Sequence, residues 1–243
     1  MYRIPQLQYR PRMKTRTGYG QFCPVAKAAE IVAERWTLLV MRELLMGSRR
    51  FNQLRKGVPA MSPSLLSKRL VQLQDAGVIE RRETESGPEY FPTEAGFALK
   101  PIIVALGFWG HRFVQHHIEA EDLDPALLMW DVRRGVDRKA MDTSKRTVVR
   151  FDLTKVAAGK GRWWLVFDRG DVDLCLTDPG YGVDLSVSAP LRDLTEVWIG
   201  HTELRVAIRH GIIQLEGSSA LVLSFADWFG LSIFAHPPAA VHS

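Results

Sequence analysis

The sequence predicts an α+β protein in two parts, a helical N-terminal half and a C-terminal half of strands followed by helices. Three observations predict it. Apolar residues recur at steps of three and four through most of the stretch from Pro24 to Phe113, the spacing of amphipathic helices. Beyond Val148 the period shortens: Val183, Leu185 and Val187 alternate with Asp184, Ser186 and Ser188, as on a half-buried strand. The charge divides as well. Residues 1–120 hold 18 Lys and Arg against 10 Asp and Glu, a net of +8, whereas residues 121–243 hold 14 against 17, a net of −3. At 243 residues the chain has room for two cores.

In chain order, Val25, Ala28, Ala29, Val32, Trp36 and Leu39 predict one long amphipathic helix from Pro24 to Met46, broken by Gly47. Ser48 is placed to cap a short helix, Arg49 to about Lys56, which Gly57-Val58-Pro59 ends. Ser62 then caps a third helix with Pro63 at its first position, where the missing N–H costs nothing. Leu66, Leu70 and Leu73 share its buried face, Gly77 closes it, and Ser64, Ser67, Lys68 and Gln72 lie opposite. Alone, this reads first as a plain amphipathic surface helix. In sequence with the two before it, it completes a helix-turn-helix arrangement, and a short helix rich in hydrogen-bonding groups suits a major groove. Val78–Thr84 and Glu89–Pro92 read as arms of a hairpin about Ser86-Gly87-Pro88, a wing beside that helix. The expected DNA-facing set is Ser62, Ser64, Ser67 and Lys68 on the helix, with Arg49, Arg50, Arg69, Arg81 and Arg82 holding phosphates. Basic charge gathered on this half supplies the salt-sensitive part of such binding.

The runs Cys23-Pro24-Val25, Arg35-Trp36-Thr37-Leu38-Leu39, Met41-Arg42-Glu43-Leu44-Leu45 and Arg49-Arg50-Phe51-Asn52-Gln53-Leu54 resemble the HxlR-type winged helix-turn-helix regulators. So do Leu66-Ser67-Lys68-Arg69-Leu70, Asp75-Ala76-Gly77, Thr93-Glu94-Ala95-Gly96 and Ala105-Leu106-Gly107-Phe108-Trp109-Gly110. The likeness covers about ninety residues in order. It departs at Glu34-Arg35 and at Pro92, which puts the pairing of the wing's second arm in question. The resemblance implies a bacterial transcription factor that binds an inverted repeat of double-stranded DNA as a homodimer. The residues point to a dimer independently. Leu99, Ile102 or Ile103, Leu106, Trp109 and Phe113 form an apolar stripe with little core of its own to cover, so a twofold mate is its expected partner. The alternative is packing on the second domain. Cys23, just before the first helix, stands where a helix N-terminus lowers a thiol pKa, and members of the resembling family sense oxidants through a cysteine in this neighbourhood.

In the second half, Val148–Leu153, Arg162–Phe167 and Val172–Leu176 are β-rich runs joined by the turn signals Arg169-Gly170 and Asp178-Pro179-Gly180, an expected antiparallel meander. Leu191–Trp198, His201–Ile208 and Ser218–Phe229 read as helices covering one side of that sheet. This order, with Asp193-Leu194, Gly200, Ala207-Ile208, Gly211, Ile213 and Leu215-Glu216-Gly217, is similar to the sterol-carrier-protein fold. The resemblance implies an apolar ligand cavity, with Trp163, Trp164, Phe167, Trp198, Phe225 and Trp228 as lining candidates; plain core packing is the simpler assignment for any one of them.

The expected organisation is a basic arm at 1–20, a DNA-binding and dimerisation domain at 21–118, a linker at 119–125, a ligand-binding domain at 126–235 and a tail at 236–243. No cofactor is expected. There is no CxxC pair, no HExxH, no phosphate loop and no nucleophile elbow, and His116-His117 are too close in sequence to face one ion from a helix. An enzyme is therefore not expected. Neither a secretory leader nor a membrane-length apolar run is present, and two cysteines make no disulfide framework, so a cytoplasmic protein is expected. Three functions compete: a regulator responsive to a hydrophobic small molecule; a lipid carrier with an accessory DNA-binding module; and an enzyme built on the C-terminal domain, which has no sequence feature in its favour beyond a possible pocket.

Overall fold

The computed structural model describes residues 18–114, 118–141 and 145–235. Most of the basic arm, His116-His117 and the 236–243 tail lie outside them. The chain divides into two compact units, Met1–Gly107 and Phe108–Ser243, with the boundary inside a helix rather than at the acidic stretch 119–125. That stretch instead holds a one-turn 3-10 helix, Ala120–Asp122, and leads directly into the next helix at Pro125.

The first unit runs α1 (Pro24–Val32), α2 (Thr37–Leu45), α3 (Phe51–Gly57), α4 (Pro63–Asp75), β1 (Ile79–Thr84), β2 (Gly87–Pro92), α5 (Glu94–Ala98) and the start of α6 (Lys100–Phe113). The single helix expected over Pro24–Met46 is two helices. Trp36 between them adopts a left-handed backbone, φ 78°, which interrupts the helical ladder. The apolar spacing survives the break because Ile31, Trp36, Val40, Met41 and Leu44 all face one core, completed by Leu54, Leu66, Leu70, Leu73 and Ile79. Ser48 does not cap α3. Its hydroxyl bonds the buried Glu43, and the Gln53 side chain instead accepts the N–H groups of Arg49 and Arg50. The hairpin pairs in register from Thr84↔Gly87 to Ile79↔Pro92, so Pro92 does not disrupt it. Gly96 of α5 packs where an added Cβ would overlap the Val78 carbonyl, and Thr93 ties this corner by donating to the Gly77 carbonyl at 2.7 Å.

The second unit runs from the rest of α6 through α7 (Pro125–Gly135), β3 (Thr147–Thr154), β4 (Arg162–Asp168), β5 (Asp171–Cys175), β6 (Leu185–Pro190), α8 (Leu191–Ile199), α9 (Leu204–Arg209), β7 (Gln214–Gly217) and α10 (Ser219–Trp228). The sheet order is β5-β4-β3-β6-β7. The expected meander holds for β3-β4-β5, but β6 pairs parallel to β3, so the sheet is mixed. The stretch 176–184, in which Asp178-Pro179-Gly180 reads from sequence as a tight turn and Val183-Asp184 as the start of a strand, is the crossover that carries the chain from the β5 edge to the far side of β3. Asp124 starts α7 by accepting the N–H groups of Ala126 (2.8 Å) and Leu127 (3.2 Å), and Pro125 follows at the first helical position. Met129 and Val132 of α7, Phe151 and Leu165 of the sheet, Leu194 and Val197 of α8 and Phe225 of α10 share one core.

Candidate nucleic-acid interface

α4 is built as the sequence predicts. Ser62 Oγ accepts the Leu65 N–H at 3.3 Å, Pro63 opens the helix, and Leu66, Leu70 and Leu73 are buried. Ser64, Ser67 and Lys68 are exposed together on the opposite side. Val71 continues that exposed side at 57% exposure, and sequence reasoning missed it. An apolar group there suits a thymine methyl in a major groove. Its signal was its place, four residues after Ser67 and three after Lys68, on the helix's polar face.

One residue of the expected set is buried instead. Arg69 is buried, 5% exposed, and pairs with Glu34 at 3.1 Å while donating to Gln72 at 2.7 Å. It is an internal strut rather than a phosphate contact, and burial lowers its pKa below the ordinary arginine value. The same contact holds the Gln72 side chain by its amide oxygen, with its amide nitrogen outside that bond. Its basic character pointed outward, but residue 69 directly precedes Leu70 and falls on the flank of the buried face.

The arginines of the wing and of the α2–α3 turn form a second cluster. Arg49 is half-buried, donates to the Leu44 and Ser48 carbonyls, and lies over the Phe91 ring at 5.1 Å. Desolvation lowers its pKa, with Glu89 opposing. Arg50 pairs with Glu89 at 3.0 Å and also reaches the Ser86 hydroxyl. Arg81 pairs with Glu83 at 2.6 Å; Arg82 pairs with Glu80 and sits over Phe91 at 4.5 Å. The Tyr90 N–H donates to the Arg49 carbonyl at 2.8 Å, tying β2 to the turn that starts α3. Sequence reasoning found these arginines but not Phe91 or Glu89, because cross-strand register decides which side chains share a face.

On α6, Ile102 (58%), Leu106 (45%), Trp109 (55%) and Phe113 (55%) are exposed, whereas Leu99 packs on the core of the first unit and drops out of the stripe. Ile103 also packs on that core, so Ile102 is the stripe residue of the pair. Phe22 and Val25, at and before the start of α1, are exposed too. Cys23 immediately precedes α1, and the backbone N–H groups of Ala26 and Val25 lower its thiol pKa. Lys27 is engaged with Glu30 at 2.9 Å rather than with the thiol.

The aromatic set of the second unit divides between the buried core, its margin and the other face of the sheet. Trp163 and Trp164 are successive strand residues and point to opposite faces of the sheet. Trp163, Phe167, Phe225 and Trp228 are buried members of the core, with Phe225 and Trp228 5.0 Å apart and Phe167 and Trp228 5.6 Å apart. Trp198 packs at that core's margin. A groove of about 330 Å³ opens instead at the carboxyl ends of β3 and β6, lined by Thr154, Ser188, Pro190, Asp193, Ile212 and Gln214, and none of the six predicted aromatics borders it. Among the described residues no three His, Cys, Asp or Glu side chains are grouped to hold a metal ion, and no helix is long and apolar enough to cross a membrane.

A three-helix scaffold, a recognition helix with a polar exposed side and an arginine-bearing wing define a winged helix-turn-helix unit, joined here to a helix-covered sheet. Comparison with known proteins agrees. The HxlR-like helix-turn-helix family matches residues 31–118, and the SCP-2 sterol transfer family matches residues 131–230. An uncharacterized HTH-type transcriptional regulator of Mycobacterium tuberculosis is 39% identical over 117 residues, covering 43% of this chain and 73% of that protein. The uncharacterized HTH-type transcriptional regulator YvaP of Bacillus subtilis is 36% identical over 99 residues, covering 39% and 92%. The solved structure of the reduced transcriptional regulator YodB from the same organism aligns at 25% identity and a TM-score of 0.35, covering 40% and 100%. The chain belongs to the HxlR-like helix-turn-helix family of transcriptional regulators, and its second unit carries the SCP-2 match.

Proposed function

We propose that the protein is a homodimeric, sequence-specific DNA-binding regulator whose second unit binds a hydrophobic small-molecule effector. The observation that carries the DNA-binding part is the exposed side of α4, with Ser64, Ser67, Lys68 and Val71 in one row and the Arg50, Arg81 and Arg82 cluster in the same unit. The α4 row offers hydrogen bonds and one apolar contact to base edges, and the wing arginines exchange their carboxylate partners for phosphates. Four exposed apolar side chains on α6 are too many to leave in water, and a twofold mate buries them while setting the separation of two half-sites. The test is selection of duplexes from a random pool by the full chain. An inverted repeat with half-site centres about 10–10.5 base pairs or a multiple apart is expected. A selected set without internal symmetry contradicts the dimeric reading, and no enrichment contradicts DNA reading altogether.

The effector part draws support from the SCP-2 match and from two indole groups. Trp198 Nε1 and Trp228 Nε1 are both shielded from solvent with no hydrogen-bond partner in the protein. An unmet buried donor costs about 1–3 kcal/mol, so an apolar molecule carrying one acceptor has a place to gain. Trp228 is packed in the core and Trp198 at its margin, so a molecule that reaches the Trp228 indole has to displace core side chains. Titration of the full chain with oleate, a sterol and an aromatic acid, followed by tryptophan fluorescence and operator affinity, tests this. Binding without any change in operator affinity favours the carrier reading over the regulator's effector.

A further inference from the structure

The wing carries an aromatic group that none of the DNA-facing assignments uses. In the β1–β2 register Glu80 stands opposite Phe91 and Arg82 opposite Glu89, so Phe91 and Arg82 are diagonal neighbours on one face of the hairpin. The Arg82 guanidinium lies 4.5 Å from the Phe91 ring centroid although its side chain is 59% exposed. The Arg49 guanidinium lies over the same ring at 5.1 Å. Arg49 is not free to move, since the Leu44 and Ser48 carbonyls accept from it and its own carbonyl accepts the Tyr90 N–H at 2.8 Å. Phe91 therefore contacts one arginine fixed by the backbone and one that is solvent-facing.

We propose that Phe91 is a positioning residue of the DNA interface: its ring, anchored on Arg49, holds Arg82 in the orientation that meets the DNA. This inference rests on the DNA-binding function proposed above. Two physical arguments support it. A long exposed arginine loses rotamer freedom when it grips a phosphate, and one already lying on a ring has less to lose. Two guanidiniums at one ring also repel each other, so the arrangement is most favourable when negative charge lies close by. Glu80 supplies that charge in the free protein, and a phosphate replaces it in the complex.

A double-mutant cycle on the full chain tests this, using a duplex enriched by the wild type and one fixed salt concentration. Phe91→Leu and Phe91→Met both remove the ring, and the cycle is read on whichever keeps wild-type hydrogen exchange across β1 and β2. The expected loss of affinity is about two- to fivefold, the range of an exposed cation–π contact, and Phe91→Tyr should restore it to within about twofold. In an Arg82→Ala background, removing the ring should cost nothing further. Equal losses in both backgrounds would mean that Phe91 acts through the fold, and the inference falls. An Arg82→Ala protein that binds like the wild type also overturns it while α4's role stands, whereas failure of the wild type to enrich any duplex overturns the DNA-binding function itself.

Discussion

Gly57→Ala is a one-carbon change with a large expected effect. Gly57 ends α3 directly beneath Glu43 of α2, a carboxylate with no solvent exposure. An added Cβ would overlap Glu43 Cδ and Oε2 and stand 2.5 Å from Oε1, so either the helix or the carboxylate must move. The carboxylate is held by Arg42 (Nη2 at 2.9 Å, Nε at 3.2 Å) and by the Ser48 hydroxyl at 3.3 Å. Arg42 also donates to the Gly57 carbonyl at 3.1 Å. Breaking a buried charged pair costs about 3–5 kcal/mol, and Ala in place of Gly in a helix returns at most about 1 kcal/mol. The net loss should be about 2–5 kcal/mol of local stability, from the difference of those two figures. Native-state hydrogen exchange across α2 and α3 reads this directly, because a global melt would mix the two units. Glu43→Ala empties the space, so Gly57→Ala should be nearly harmless in that background. Undiminished protection in the single Gly57→Ala variant, or equal losses in both backgrounds, would refute the steric account.

Three further predictions follow from the same geometry. Arg69→Ala should lower the stability of the first unit by about 1–3 kcal/mol, as expected for losing charged hydrogen bonds, and should leave the salt slope of DNA binding unchanged; a slope smaller by about one would return Arg69 to the phosphate set. Trp109→Asp should give monomers in sedimentation, since an unpartnered charge in a buried seam is costly, and a mutant that stays dimeric would place the interface elsewhere. Cys23 should be alkylated faster than Cys175 at neutral pH, because local backbone N–H groups favour its thiolate; equal rates, resolved by mass spectrometry, would contradict that.

Much of the candidate interface was legible in the sequence because it depends on local rules. The Ser62 cap, Pro63 and the Leu66–Leu70–Leu73 face define α4 with no knowledge of the rest of the chain. What escaped was non-local. Arg69 precedes a core leucine, and only the approach of Glu34 from the end of α1 makes its burial affordable in charge. Trp36 keeps helical spacing while its own backbone leaves the helix, so periodicity ran through a break. The parallel pairing of β3 with β6 was hidden because alternation within a strand says nothing of its neighbour's direction. The aromatic residues of the second unit fit either a cavity wall or a plain core by composition; strand alternation separates Trp163 from Trp164, and Phe225 and Trp228 of α10 join the core.

The central claim is that α4 reads base edges, and Lys68→Ala tests it most directly. Affinities of wild type and variant are measured on the selected duplex and on random DNA at the same salt concentration. Discrimination between the two should fall by about 1–3 kcal/mol, the worth of a good base contact, with the larger loss on the selected duplex. An equal loss on both DNAs would make Lys68 a phosphate contact and contradict the assignment of α4's exposed side to sequence reading.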